Sequence, residues 1–323
     1  MFKVITGVLA CLVGLTASAV AQNYPTRAVS MIIPFAAGGP TDVLGRIVGQ
    51  RMSEILGQQV VIENVGGAGG MTGSKRVADA QPDGYVMGIG TVGTHAQGQT
   101  LYKKPLYNSQ TDFTPVALIA DVPIVLAARK DLPVKDFREF VTYTKVNQGK
   151  MSYGTGGTGS APHLACMLLN HLLGTSVTHV PYRGSAPATQ DLLGGRIDFM
   201  CAGITTAKPV IDNGSLKGLA VLSAARSPAM PDLPTAREQG ANVEGYTWNA
   251  IFLPKGAPAA IVQKLNAAAV EAIKTPAVRE KLAALGAQVV SEAQATPAYL
   301  AQFVKSETEK WAGPIKASGM QVE

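Results

Sequence analysis

Charged residues are scarce in this chain, at 15% of its 323 residues, and aromatic ones scarcer still, at 6%. The cations do not cluster either. No run of five to eight Lys and Arg occurs, which excludes the usual basic nucleic-acid patch, and too few aromatics interleave with them to form a single-strand stacking platform. Past the N-terminus no stretch reaches the roughly 18 to 20 apolar residues of a membrane span. Histidine appears four times, at His95, His163, His171 and His179, and cysteine three times. There is no H-E-x-x-H, no C-x-x-C and no G-x-S-x-G elbow. His163 and Cys166, three residues apart, have no second ligand pair near them. The expectation is a protein without metal, cofactor or nucleic-acid partner, and not an enzyme. With 46% hydrophobic residues the chain can bury a real core, and its length suits about two domains. A dispersed net charge of +6 suits a small anionic ligand.

The first residues bear on compartment. One cation at Lys3, an apolar stretch over residues 4–13 and the small-x-small sequence Ala19-Val20-Ala21 read as a secretory signal over residues 1–21, placing the mature protein in the periplasm. Cleavage after Ala21 removes Cys11, with no lipobox cysteine at the cut. Cys166 and Cys201 remain, an even pair that favours a disulfide in an oxidising compartment, two buried thiols being the alternative.

Apolar runs alternate with helical patterns along the rest of the chain. A strand over 29–35, a helix over 41–56 stopped by Gly57, a strand over 59–63, a helix over 74–80 and a strand over 85–90 make a βαβαβ run. A second cycle has strands at 116–119, 124–128, 151–154, 177–181, 197–201 and 218–223, with helices at 134–146 and 161–173 and a short one ending at Gly194. The tail has a strand at 248–253 and two alanine-rich helices over 258–285, broken at Pro276. Such alternation calls for mainly parallel sheets flanked by helices. The tail could form a third unit or return to the first half, and with the return the two halves make a hinged pair of lobes.

Strand, Gly-rich turn, small hydroxyl residue, Pro and helix occur in both halves. The first copy is Pro34-Phe35-Ala36-Ala37-Gly38-Gly39-Pro40-Thr41-Asp42 and the second Gly154-Thr155-Gly156-Gly157-Thr158-Gly159-Ser160-Ala161-Pro162. Glycines let the chain turn with its amides exposed, and a helix N-terminus carries unpaired N–H groups and about half a positive charge. Each turn can trap a carboxylate or phosphate, and the pair could hold one anion across a cleft; two ordinary βα turns are the plainer reading. The second turn also matches G-x-G-x-x-G at Gly154, Gly156 and Gly159. A dinucleotide site would need an acidic residue at the end of the next strand, and Val180-Pro181-Tyr182-Arg183 offers none. His95 follows the strand over 85–90, at the sheet's carboxyl edge, where it suits either ligand contact or helix initiation.

Several motifs in order carry a resemblance: Ile33-Pro34-Phe35-x-x-Gly38-Gly39-x-x-Asp42, Glu63-Asn64-x-x-Gly67-Ala68-x-Gly70, Pro82-Asp83-Gly84-Tyr85, His179-Val180-Pro181-Tyr182-Arg183-Gly184 and Leu193-Gly194-Gly195-Arg196-Ile197-Asp198. Arg226-Ser227-Pro228 and Leu233-Pro234-Thr235 complete the series. The chain resembles the Bug family, extracytoplasmic solute-binding proteins of tripartite tricarboxylate transporters. The resemblance implies a two-lobed α/β fold of the Venus-flytrap, type II-like kind, with the ligand cleft between lobes: lobe I from 22–121 plus 226–323, lobe II from 122–225. It implies capture of a small carboxylate for delivery to membrane permease subunits by a protein expected to be a monomer. It places ligand contacts at Phe35, Ala36, Ala37, Gly38, Gly39 and Thr41 in one lobe and at Gly156, Gly157, Thr158, Ser160 and Ala161 in the other. Thr94, His95 and Thr205 would line the distal end. Arg183 could grip a second carboxylate or lie at the surface. An exported enzyme acting on a small anionic substrate is the alternative function.

Overall fold

The computed structural model describes residues 24–319, 321 and 322, so the expected signal segment lies outside the described residues. The first half follows the order read from the sequence. β1 (Val29–Ile33) leads through the first Gly-rich turn into α1 (Pro40–Leu56), which starts with Pro40 and ends at Gly57, whose φ of +69° suits a residue without a Cβ. Leu44, Val48, Met52 and Leu56 recur at helical spacing and face the core. On the same face Gly45 lets the helix lie close to β1; a Cβ there would come within 2.6 Å of Ile33 Cδ1. β2 (Val60–Asn64), α2 (Met71–Ala78) and β3 (Val86–Thr91) complete the run. A π-helical turn, Gly93–Gln97, follows β3 and continues into the short helix Gly98–Leu101.

β4 (Phe113–Arg129) corrects one expectation. Sequence reading breaks it into two strands around Asp121, Val122 and Pro123, yet the 17 residues form one strand. It spans both halves of the molecule, and the interruption in its pattern marks the crossing. The second half then holds α3 (Phe137–Asn147), β5 (Ser152–Thr155), α4 (Ala161–Leu173), β6 (Thr178–Pro181), α5 (Ser185–Leu193), β7 (Phe199–Gly203), α6 (Ile204–Asp212) and β8 (Leu216–Val221). The chain returns through β9 (Tyr246–Pro254), α7 (Ala259–Lys274), α8 (Pro276–Ala284), β10 (Gln288–Val289) and α9 (Pro297–Ala317).

Among the described residues the strands form one hydrogen-bonded path, β2-β1-β3-β9-β4-β7-β5-β6, with β8 and β10 also on β4. Pairing is parallel in the outer parts, β1 with β2 and β3, and β5 with β6 and β7. It is antiparallel wherever β4 or β9 takes part, because these strands run against the βαβ units on either side. Residues 113–123 of β4 pair with β9 and residues 124–129 with β7 and β8, so one strand belongs to both cores. Trp248, Phe252, Phe137, Phe140 and Phe199 are among the largest fully buried side chains, the first two in the first half and the others in the second. Between β8 and β9 the chain stays on the second half through Val221 N to Pro234 O, Ala236 N to Val221 O and Gly245, which accepts from Ile124 N at 3.1 Å and donates to Leu222 O at 2.5 Å; it re-enters the first half with β9, not at residue 226 as the sequence suggests. Cys166 on α4 and Cys201 on β7 are joined in a disulfide with Cα atoms 5.7 Å apart. A helix is thereby tied to its own sheet, and Cys166 is removed from any metal pair with His163.

Candidate functional site

Four helices begin around one cavity between the two halves. α1 contributes Gly39, Pro40 and Thr41, α4 contributes Ser160, Ala161 and Pro162, α5 contributes Ser185 and α6 its cap Gly203. Phe35, Thr91, Gly156 and Thr247 complete the lining. None of these side chains is charged. Gly39, Gly184 and Gly203 cap their helices without a side-chain hydrogen bond, so the first N–H groups of α1, α5 and α6 keep no capping partner from the side chain. Ser160 differs, its hydroxyl accepting from His163 N at 3.4 Å and donating to Gly157 O at 2.7 Å. Four helix dipoles then converge their positive ends on a site of neutral groups, an arrangement that favours an anion.

The first turn is held from behind. Asp42 lies in the first turn of α1 with its carboxylate directed away from the cavity: Oδ2 accepts from Gly38 N at 2.8 Å and Arg46 Nε at 2.9 Å, and Oδ1 from Asn64 Nδ2 at 2.9 Å. Asn64 also donates to Phe35 O at 3.0 Å. Burial alone would raise the Asp42 pKa, but the hydrogen bonds from Arg46, Gly38 and Asn64 outweigh it and hold the carboxyl below its ordinary value.

Of the residues expected at the site, Phe35, Gly39, Thr41, Gly156, Ser160 and Ala161 meet at this cavity. Ala36 instead donates its N–H across the two halves to Arg183 O at 3.0 Å, while Ala37 and Gly38 are exposed. Gly157 and Thr158 sit behind the rim, where Thr158 O accepts from Tyr102 OH at 2.8 Å. Thr94 and His95 are not brought to the cavity. Thr94 Oγ1 accepts from Thr91 N at 2.9 Å, and His95 is buried against Phe252 and Phe113, with ring centroids 4.1 and 4.6 Å away. Burial pushes the His95 pKa down to about 3, so it is a neutral ring in an aromatic core. Thr205 is buried in the first turn of α6, next to the lining residue Gly203, in a helix where the sequence suggested a loop. The Arg183 side chain is exposed.

Pro40 and Pro162 belong to the two turns read from the sequence; Thr91, Ser185, Gly203 and Thr247 were missed. Ser185 was within reach: Gly184-Ser185-Ala186-Pro187 repeats Gly159-Ser160-Ala161-Pro162 letter for letter, and both open a helix onto the cavity. Thr91 and Thr247 lie on strands β3 and β9, and no local pattern marks them.

Glycine backbone lets the halves approach closely around the cavity. A Cβ on Gly66 would lie 2.7 Å from Arg183 O, one on Gly93 2.9 Å from Ala161 N, and one on Gly69 2.3 Å from Thr158 O. These approaches and the Ala36–Arg183 hydrogen bond close the rim of the cavity.

Residues 44–320 match the model of the tripartite tricarboxylate transporter family receptor. A protein encoded in the TAR-I ttuE-ttuC' intergenic region of Agrobacterium vitis is 42% identical over 299 residues, covering 92% of this chain and 86% of the relative. The periplasmic binding protein BugD is 40% identical with a TM-score of 0.90, over 93% of this chain and all of the other. MatC from Rhodopseudomonas palustris, solved with bound malate, is 41% identical with a TM-score of 0.87, covering 90% and 99% of the two chains. An R. palustris protein solved with adipate is 35% identical with a TM-score of 0.87, covering 92% and 99%. A two-lobed binding-protein fold, a cavity at the junction of its halves and a family match over most of its length lead to one assignment: the chain belongs to the receptor family of tripartite tricarboxylate transporters, the family that includes the Bug proteins.

Proposed function

We propose that this protein captures a small organic acid through a carboxylate held at the junction of the four helix N-termini. The observation that carries the reading is a cavity with no charged side chain, facing the positive ends of α1, α4, α5 and α6. The malate and adipate in two similar proteins support a carboxylate as the ligand class. The contacts we assign are Phe35, Gly39, Thr41, Gly156, Ser160 and Ala161, joined by Ser185, Thr91 and Thr247.

The lobes in this reading are 22–121 plus 246–323 and 122–245, the second boundary lying beyond the expected 225 because residues 226–245 bond to β8 and the residue after it. The ligand contacts both lobes and so favours the closed arrangement. A signal over residues 1–21 exports the chain to the periplasm, and the closed monomer presents itself to membrane permease subunits. Catalysis is not part of the reading. No His, Asp, Glu, Lys or Cys is among the residues lining the cavity, so no general base accompanies its hydroxyls. Among the described residues no helix is long and apolar enough to cross a membrane.

A thermal-shift and calorimetric screen of the exported protein against di- and tricarboxylates, acidic amino acids, aromatic acids, inorganic phosphate and NAD(P)H tests the proposal. The expected result is a shift with one class of carboxylate. Stabilisation by phosphate or nucleotide and by no carboxylate overturns it.

A further inference from the structure

Two histidines outside the cavity meet behind its second turn. His163, 5% exposed on the first turn of α4, stacks on the half-buried His179 of β6, with ring centroids 4.2 Å apart and planes inclined by 26°. His179 stacks in turn on Tyr153, at 5.0 Å. Each ring is bonded to the turn. His163 Nδ1 accepts from Gly159 N at 3.1 Å, and His179 Nε2 lies 2.7 Å from Thr155 Oγ1, which accepts from Gly157 N at 3.2 Å.

We infer that His163 and His179 are positioning residues for ligand capture: as neutral acceptors they hold the Gly157 and Gly159 amides back from the cavity, and so set which of the turn's backbone groups face the ligand. The proton inventory supports this. An imidazole nitrogen that accepts from an amide carries no proton, so the His163 proton is on Nε2. Thr155 Oγ1 can accept from Gly157 N and still donate its one proton to His179 Nε2, and in the arrangement we assign it does so, with the His179 ring proton on Nδ1. The His163 arrangement tolerates no imidazolium, because a protonated Nδ1 cannot accept from Gly159 N. Burial keeps both rings neutral at ordinary pH, pushing His163 to about 3, with added repulsion from His179, and His179 itself to about 4. Gly157 and Gly159, whose amides are directed backward, are absent from the cavity lining, to which this turn and the start of α4 contribute Gly156, Ser160, Ala161 and Pro162. A small change behind the turn would swap one amide for another and alter the geometry offered to a carboxylate. The functional consequence rests on the proposed carboxylate reading; the geometry of the turn does not.

The test has two arms on protein exported from the full chain. Long-range proton–nitrogen correlation spectra at pH 7 are expected to show His163 as the Nε2–H tautomer and His179 as the Nδ1–H tautomer; a charged ring or the opposite pair overturns the inference. The second arm compares His163→Leu with His163→Asn, whose side-chain oxygen can replace Nδ1 as acceptor, and His179→Leu with His179→Gln, which replaces Nε2. The Leu variants should speed exchange of the Gly157 and Gly159 amides and weaken L-malate binding about tenfold, the change expected when one buried amide is left unpaired. The Asn and Gln variants should restore both to within about threefold. Equal behaviour of each Leu variant and its polar counterpart overturns the inference even where malate binds. If neither malate nor any other carboxylate binds the unsubstituted protein, the proposed function is at fault, and the amide exchange and tautomers still decide the role of the histidines.

Discussion

Asp42 receives three donors on one carboxylate, and removing it leaves Arg46, Asn64 and the Gly38 amide without that partner. Asp42→Ala should lower unfolding free energy by about 1–3 kcal/mol, measured by urea titration. Its folded-state pKa is depressed, so the stability it contributes is present above the unfolded value near 4 and is lost as pH falls through the folded value. The difference between the two proteins should therefore be flat from pH 8 to about 5 and shrink below about 4. Asp121 behaves oppositely. It sits where β4 crosses between the halves, and burial, with repulsion from Glu307 added and a smaller opposing pull from Lys310, raises its pKa to about 6. Ionising it costs stability as pH rises from about 4 to 6. Asp121→Asn should raise the melting temperature above pH 6, by an amount that fades on acidification toward pH 4.

That each Gly-rich turn opens a helix was readable because glycine spacing, a small hydroxyl residue and proline are local signals. What α1 packs against, and that α5 and α6 also start at the cavity, depend on pairings between distant strands. The divided reading of β4 has the same origin: Asp121-Val122-Pro123 breaks an apolar pattern, and only the register with β9 shows the strand continuing. Two predictions belong at this scale. Gly66→Ala places a methyl 2.7 Å from Arg183 O, an overlap that exists only with the halves in contact. Ligand affinity should fall about tenfold, by calorimetry, while the ligand-free melting temperature changes little. Reducing the Cys166–Cys201 bond, which closes a span of 35 residues, should cost about 2–4 kcal/mol of stability. It lies within one half, so affinity measured well below the melting temperature should be kept, and the unfolded, unreduced exported protein should titrate with no free thiol.

At the scale of the molecule, binding and stability are linked through closure. Free ligand at about 100 times its Kd adds about 2.7 kcal/mol to unfolding free energy. Because the cavity draws on both halves, ligand should also reduce the radius of gyration measured by small-angle scattering. Stabilisation without compaction would show that one half binds alone. Gly66→Ala should bind weakly and compact less at saturating ligand.

The sequence by itself determined the α/β alternation, the family resemblance, the two Gly-rich turns and the cysteine pair, since each is a pattern of neighbouring residues or of motifs in order. Tertiary structure decided which of the expected contacts reach the cavity. His95 follows a strand at the sheet's carboxyl edge, as a ligand-binding residue would, yet Phe113 and Phe252 enclose it. His163 and His179, 16 residues apart, meet because β6 lies beside β5 and carries His179 under the turn that opens α4. Local sequence sets backbone direction and capping; which side chain fills the space behind a turn depends on the strand that becomes its neighbour.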